Sequence, residues 1–102
     1  MNPRARLARW DELPLEKVTD MVARKAVAAP GATLTQTYLK KGAIVPRHAH
    51  PRDIVIYVLQ GALRTEVDGA ELTVREGGVL AVEAGAIHQT ESLDDTFVLT
   101  FA

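Results

Sequence analysis

The feature that most constrains the fold is a close succession of short β-type stretches that glycines, prolines and other turn residues separate. After residue 20 no helical pattern of ten residues appears. Parallel strands would need crossover helices, so the strands are expected to pair in antiparallel fashion. Strands rich in Val, Leu, Ile and Thr are predicted over 21–27, 33–39, 54–60, 62–67, 71–75, 79–82 and 96–101. So many strands in 102 residues predict an all-β fold, a small antiparallel β-barrel or sandwich.

One turn has a recognisable type, and the chain divides into two sections of different composition. Asp68-Gly69 predicts a type I′ hairpin turn, because both central residues of that turn need a positive φ. Residues 1–20 are mixed and charged, and they predict an N-terminal arm with a short helical turn around 15–20. Residues 21–102 are predicted to form a single barrel domain.

Composition removes several classes of function. The formal net charge is -1, which gives no reason to expect nucleic acid or an anionic membrane as a partner. The chain has no cysteine, so disulfides and thiolate metal sites are excluded. No apolar run approaches the roughly 18 residues that span a bilayer. Leu7 and Ala8 do not form the apolar centre of a signal peptide. A cytoplasmic protein is predicted.

The three histidines of the chain occupy two places. His48 and His50 share a face if the chain is extended there, and Pro46 and Pro51 favour an extended chain. His88 follows a predicted turn at 83–86. Three neutral imidazoles with an open position describe a catalytic type of metal site. Taken alone, the spacing is more typical of surface histidines or of histidines satisfied by hydrogen bonds, so it does not establish a metal site.

Spaced glycines extend the histidine pattern into two motifs. Gly42, His48, His50 and Gly61 form the first, and Gly77, Gly85 and His88 form the second. Over about residues 32–101 this arrangement resembles the cupin superfamily, and it is most similar to small single-domain cupins such as the uronate-linearising ones. The resemblance implies a jelly-roll-like barrel, or double-stranded β-helix, with a divalent metal held by the three histidines. It also implies a homodimer in which the arm, residues 1–20, packs on a partner subunit.

The sequence departs from the cupin motifs in three places. Ile54 stands where the first motif has a carboxylate or amide, and Asp53 beside it would reach the metal only through a local bulge. Glu83 replaces the proline of the second motif's turn. Leu99 stands where uronate-linearising cupins have an acidic residue, two places before Phe101. Uronate chemistry is therefore poorly supported.

Strand alternation indicates which side chains would surround the metal. If His50 faces inward, the same parity brings the alternate residues of the next strand inward. On the last strand Phe97, Leu99 and Phe101 share one face and are predicted to form the opposing wall. The alternative for these apolar positions is plain barrel core. The candidate substrate-pocket residues are Gln36, Tyr38, Ile54, Ile56, Val58, Thr90 and Leu99.

Three neutral ligands would leave the ion its full charge, which favours an anionic ligand or dioxygen chemistry. Imidazole suits Zn, Ni, Cu or Fe better than Mg or Ca. The candidate cofactor is a divalent transition metal, Zn, Ni, Cu, Fe or Mn. We therefore predict a metal-dependent isomerase, lyase or dioxygenase that acts on a small, partly apolar organic molecule. The alternatives are a non-catalytic protein that senses or stores a metal or small ligand, and a barrel whose histidines no longer bind metal.

Overall fold

A computed structural model describes residues 4–102 as two antiparallel β-sheets that face each other. The six-stranded sheet has the order β1-β2-β3-β10-β5-β8, and the four-stranded sheet has the order β4-β9-β6-β7. No described helix is long and apolar enough to span a membrane. The strands are β1 Glu16–Thr19, β2 Val22–Ala29, β3 Ala32–Leu39, β4 Ile44–His48, β5 Ile54–Gln60, β6 Ala62–Val67, β7 Ala70–Arg75, β8 Val79–Val82, β9 His88–Ser92 and β10 Thr96–Phe101.

The predicted all-β, antiparallel architecture is confirmed. Every pairing between the described strands is antiparallel. From β3 onward the chain changes sheet at every connection except the hairpin between β6 and β7. The hairpin at Asp68-Gly69 is confirmed as well, since both residues have a positive φ and Val67 pairs with Ala70 across them.

The core lies between the two sheets and follows the period of two that strands impose. Val58 has no exposed surface, whereas Val55 and Tyr57 on the other face of β5 are exposed. Alternation therefore assigns one face of β5 to the core. The buried core cluster consists of Leu39, Ala43, Val58, Leu63, Val74 and Val98.

The segment around residues 15–20 differs from its predicted helical turn. Glu16–Thr19 is the edge strand β1, and the helical turn lies earlier, as a 3-10 turn at Trp10–Glu12. The reason is tertiary, because Glu16 pairs with Arg24 of β2 and their side chains form an ion pair at 3.1 Å. The strands β4 and β9, which carry two of the histidines, were not among the predicted strands.

The last strand presents the opposite face from the one predicted. Val98 and Thr96 are buried between the sheets, so Phe97, Leu99 and Phe101 lie on the outer face. The residues of β10 form two alternating sets, and the prediction placed the more apolar set, Phe97, Leu99 and Phe101, inward. That prediction is wrong. Thr96 decides the parity, since its Oγ1 accepts a hydrogen bond of 3.2 Å from the backbone N–H of Ala62 in the core.

The same alternation corrects two positions on β3. Leu39 belongs to the core, so Gln36 and Tyr38 lie on the outer face and not in the barrel interior. Tyr38 contacts Phe97 edge to face there, with ring centroids 4.6 Å apart.

Gly61 joins β5 to β6 at a position that only glycine fits. Its φ is +92°, and an added Cβ would lie 2.4 Å from Thr96 Oγ1 and 2.6 Å from the carbonyl oxygen of Asp95. We expect Gly61→Ala to lower the free energy of unfolding by about 3 kcal/mol, because backbone strain and a steric clash add. Denaturant unfolding monitored by circular dichroism measures this loss.

Gly31 provides the matched control. It has no positive φ, and an added Cβ would meet nothing within 4 Å. We expect Gly31→Ala to change stability by no more than about 0.5 kcal/mol. Equal losses in the two variants would contradict this account of the Gly61 turn.

Candidate metal centre

Two of the three histidines are brought together by strand pairing. His48 is the last residue of β4 and His88 is the first of β9, and they stand opposite each other in the register of the two strands. His50 follows two residues later in the loop that leads to β5. Each residue offers a ring nitrogen, and these nitrogens all lie within 4.8 Å of one another.

The spacing of these nitrogens suits a single ion. His48 Nε2 lies 2.9 Å from His50 Nε2. Two nitrogens bound at about 2.05 Å to one metal and at right angles to each other are separated by about 2.9 Å. His88 completes the group, with its ring centroid 4.3 Å from that of His48 and 5.3 Å from that of His50.

Backbone carbonyls orient two of the rings. His48 Nδ1 lies 2.7 Å from the carbonyl oxygen of Pro46, and His88 Nδ1 lies 3.0 Å from that of Ala86. A carbonyl oxygen can only accept, so in each bond Nδ1 carries the proton. Nε2 is then left with the lone pair that a metal needs, which is the usual arrangement around metal-bound histidines. The donor set therefore fits a transition metal.

The surroundings of His50 favour the neutral form of its imidazole. Burial lowers the pKa of His50, and repulsion from His48 and His88 lowers it further. Neutral imidazole is the form that ligates a metal. The lowered pKa of His50 therefore keeps its ring nitrogens available to a metal.

Asp53 stabilises the loops that carry His50 and precede His88. It does not belong to the group of three histidines whose ring nitrogens converge. Its Oδ1 accepts a hydrogen bond of 2.8 Å from the backbone N–H of Ala84, in the turn before His88. The N–H of Gly85 in the same turn donates to the carbonyl oxygen of His50 at 2.8 Å. These two bonds join the loop of His50 to the turn that precedes His88.

A second aspartate supports the same turn from the other side. Asp68 Oδ1 accepts from the N–H of Ile87 at 3.2 Å, and the N–H of Asp68 donates to the carbonyl oxygen of Ile87 at 3.0 Å. Sequence reasoning missed both supporting roles. The hairpin signal at Asp68 marks a turn, but it carries no information about which distant backbone group the carboxylate reaches.

The predicted inward positions of β5 agree with the structure. Ile54 and Val58 are buried, Ile56 is half-buried, and the residues between them face outward. Ile54 therefore stands on the inner face at the start of the strand that follows His50. Thr90 is also buried, and its Oγ1 lies 3.1 Å from Thr65 Oγ1. Contact of these residues with a ligand stays a prediction.

Threonines take the inner places expected for Gln36, Tyr38 and Leu99. Thr35 and Thr100 are paired neighbours with the parity of the core residues Leu39 and Val98, and Thr100 also pairs with Ile56. Both threonines are half-buried. The inner wall of the six-stranded sheet is therefore mixed, with hydroxyls beside aliphatic side chains.

The fold and the site together define the class of protein as a small antiparallel β-barrel with a group of three histidines that could hold a metal. The model of the family described as "Cupin domain" matches residues 35–101. The chain belongs to the cupin domain family.

Solved structures support the fold. KdgF from Halomonas sp. superposes with a TM-score of 0.84 at 27% identity, over 91% of this chain and 89% of its own. An RmlC-like cupin from Shewanella frigidimarina gives a TM-score of 0.87 at 18% identity, over 95% of this chain and 88% of its own. Oxalate decarboxylase from Bacillus subtilis, which has Mn(II) centres, gives 0.78 at 18% identity, over 90% of this chain and 27% of its own. No curated protein matches the chain.

The hydrogen bond of Asp53 yields a test that separates support from ligation. Asp53→Ala removes the acceptor for Ala84, so we expect the affinity for Zn²⁺ to fall by about tenfold, as it does when supporting partners of metal ligands are lost. Asp53→Asn keeps an oxygen acceptor and is expected to retain most of the affinity. Competition with a chromophoric chelator measures both values.

Glu83→Ala serves as the charge control, because it removes a neighbouring carboxylate from the same turn. We expect it to leave the affinity for Zn²⁺ nearly unchanged. A loss in Asp53→Asn as large as that in Asp53→Ala would mean that the negative charge matters, as it would for a ligand.

Proposed function

We propose that the protein binds one divalent transition metal through His48, His50 and His88 and uses it as a metal-dependent enzyme. The observation that carries the proposal is the convergence of the three imidazoles, two of them oriented by backbone carbonyls so that Nε2 is free to ligate. By ligand type Zn, Ni, Cu or Fe suits such a set best, and Mn is the remaining candidate.

The metal would act as a Lewis acid that polarises an oxygen of the substrate. Within residues 4–102 no negatively charged side chain belongs to this set, since Ile54 takes the place of the carboxylate and Asp53 is bonded to Ala84. A bound ion would keep its full charge and would favour a substrate with an anionic or strongly polar oxygen head.

The walls of the barrel suggest the rest of the substrate. Ile54, Ile56 and Val58 offer aliphatic surface, while Thr35 and Thr100 offer hydroxyls on the same sheet. These surfaces suit a small organic molecule that is partly apolar. Isomerase, lyase and dioxygenase reactions are the classes that we propose for it.

A non-catalytic role is the second candidate. Among the described residues no carboxylate belongs to the group of converging ligands, so the group itself offers no acidic side chain as a general base. A sensor or storage protein for a metal or a small ligand needs no such base. The homodimer and the cytoplasmic location expected from the sequence are part of both proposals.

Metal analysis tests the shared premise. We expect about one transition metal per chain in the protein purified after metal supplementation, and loss of most of it in His48→Ala and in His88→Ala. Gln89→Ala is the matched control, since residue 89 follows His88 and points to the other face of β9. Elemental analysis that finds wild type and variants equally free of metal, or equally loaded, would overturn the proposal.

Ile54→Glu tests whether the missing ligand position faces the site. We expect the carboxylate to raise the affinity for Zn²⁺ by about tenfold or more, because it adds an anionic oxygen donor to three neutral nitrogens. Isothermal titration with Zn²⁺ measures this gain.

Val55→Glu introduces the same charge one residue later, on the outer face of β5, and is expected to leave the affinity unchanged. An equal gain in the two variants would indicate a general effect of charge. No gain in Ile54→Glu would show that this side chain does not reach the metal.

A further inference from the structure

Arg52 lies at the end of the barrel where the three histidines converge, an end that we call the mouth. It follows His50 by two residues, in the loop between β4 and β5. Its guanidinium nitrogen Nη2 donates a hydrogen bond of 2.9 Å to the carbonyl oxygen of Gly31. Because a carbonyl group is uncharged, this bond fixes the position of the guanidinium without neutralising it.

The strand order shows where this side chain lies. Arg52 precedes β5, Gly31 precedes β3, and β10 lies between these two strands in the six-stranded sheet. Neighbouring strands are about 4.8 Å apart, so the link from β5 to β3 spans roughly 10 Å. The link therefore runs past the end of β10, on the six-stranded side of the mouth.

The positive charge of Arg52 has no carboxylate within 4.0 Å among residues 4–102. Arg47, beside His48 on β4, differs because it is paired with Glu66 at 3.3 Å. A guanidinium that gives one hydrogen bond to a carbonyl group keeps further N–H donors in a planar fork, and this fork matches the two oxygens of a carboxylate. Arg52 is therefore a fixed cation at the mouth that can accept an anion from outside the chain.

We infer that Arg52 selects the ligand of the metal centre by binding a second carboxylate, so that the ligand is a short dicarboxylate. The inference deepens the proposed function and rests on its metal centre. The three neutral histidines leave the charge of a bound ion for one carboxylate, and Arg52 supplies a separate positive charge for the other.

The inner face of β5 accounts for the middle of such a ligand. Ile54 begins β5 two residues after Arg52 and is buried on the inner face, and Ile56 is half-buried on the same face. Aliphatic side chains gain free energy when they cover methylene groups. A few methylenes between two carboxylates would therefore lie on an apolar wall, with a charged group of the protein beyond each end.

Isothermal titration of the zinc-loaded full chain tests the inference, with glutarate and valerate as the probes. Both probes have five carbons, and only glutarate has a second carboxylate. We expect the wild type to bind glutarate at least about tenfold more tightly than valerate, because a hydrogen bond between two charged groups adds about that factor to binding.

Arg52→Gln removes the charge but keeps an N–H donor for the carbonyl oxygen of Gly31. We expect it to lower the affinity for glutarate by about tenfold and to leave the affinity for valerate nearly unchanged. Elemental analysis should find the zinc content of this variant unchanged. Arg75→Gln is the matched control, because it removes the same charge from the end of β7 that pairs with Ala62, far from the mouth.

Equal or undetectable affinities of the zinc-loaded wild type for the two probes would overturn the inference. An unchanged preference for glutarate in Arg52→Gln would overturn it as well, and so would an equal loss in Arg75→Gln. If Arg52→Gln weakened both probes equally, the residue would act only by holding the loop of His50, and the inference would fail. A chain that takes up no zinc would overturn the proposed function together with the inference, so zinc content separates the two failures.

Discussion

The pairing of β4 with β9 is the interaction on which the candidate site depends. It places His48 opposite His88, two residues that are far apart in the chain. Gly42 N–H donates to the carbonyl oxygen of Ser92, and Ser92 N–H donates to that of Ala43, both at 2.8 Å, so the pairing extends beyond the strands. Backbone hydrogen bonds of this kind hold the side chains in nearly fixed positions, because paired strands have few soft backbone dihedral angles left. Only His50 lies outside the pairing, and the bonds of Asp53 and Gly85 compensate for its place in a loop.

The sequence allowed the fold to be predicted because its signals are local. A glycine at a positive φ, such as Gly61 or Gly85, and the Asp68-Gly69 hairpin act within a few residues of themselves. Alternation along β5 was read correctly, since Ile54 and Val58 are both apolar and both buried. The strands β4 and β9 were missed as strands because prolines, histidines and other polar residues weaken their β character, although the shared face of His48 and His50 was predicted.

The predictions that were wrong or missing concern residues whose environment depends on contacts distant in sequence. On β10 both alternating sets suit a strand, and only the contact between Thr96 and Ala62 shows which set is buried. The role of Asp53 was equally out of reach, because it depends on the proximity of Ala84, which lies beyond four strands. The absence of a carboxylate at residue 54 could be recognised from the sequence, because the residue type at a position requires no tertiary information.

The parity of β10 links the chemistry of the barrel to its surface. Had Phe97, Leu99 and Phe101 faced inward, the well would be aromatic and the outer sheet would carry threonines, a face that water covers without cost. The structure reverses this distribution, so hydroxyls stand in the interior and aromatic side chains stand outside. The hydroxyl of Thr96 is satisfied within the protein, since it accepts from the N–H of Ala62 and donates to the carbonyl oxygen of Asp94. The parity of this one strand therefore sets the chemistry of two surfaces, a wall of mixed hydroxyl and aliphatic side chains inside the barrel and an apolar face on the outer sheet.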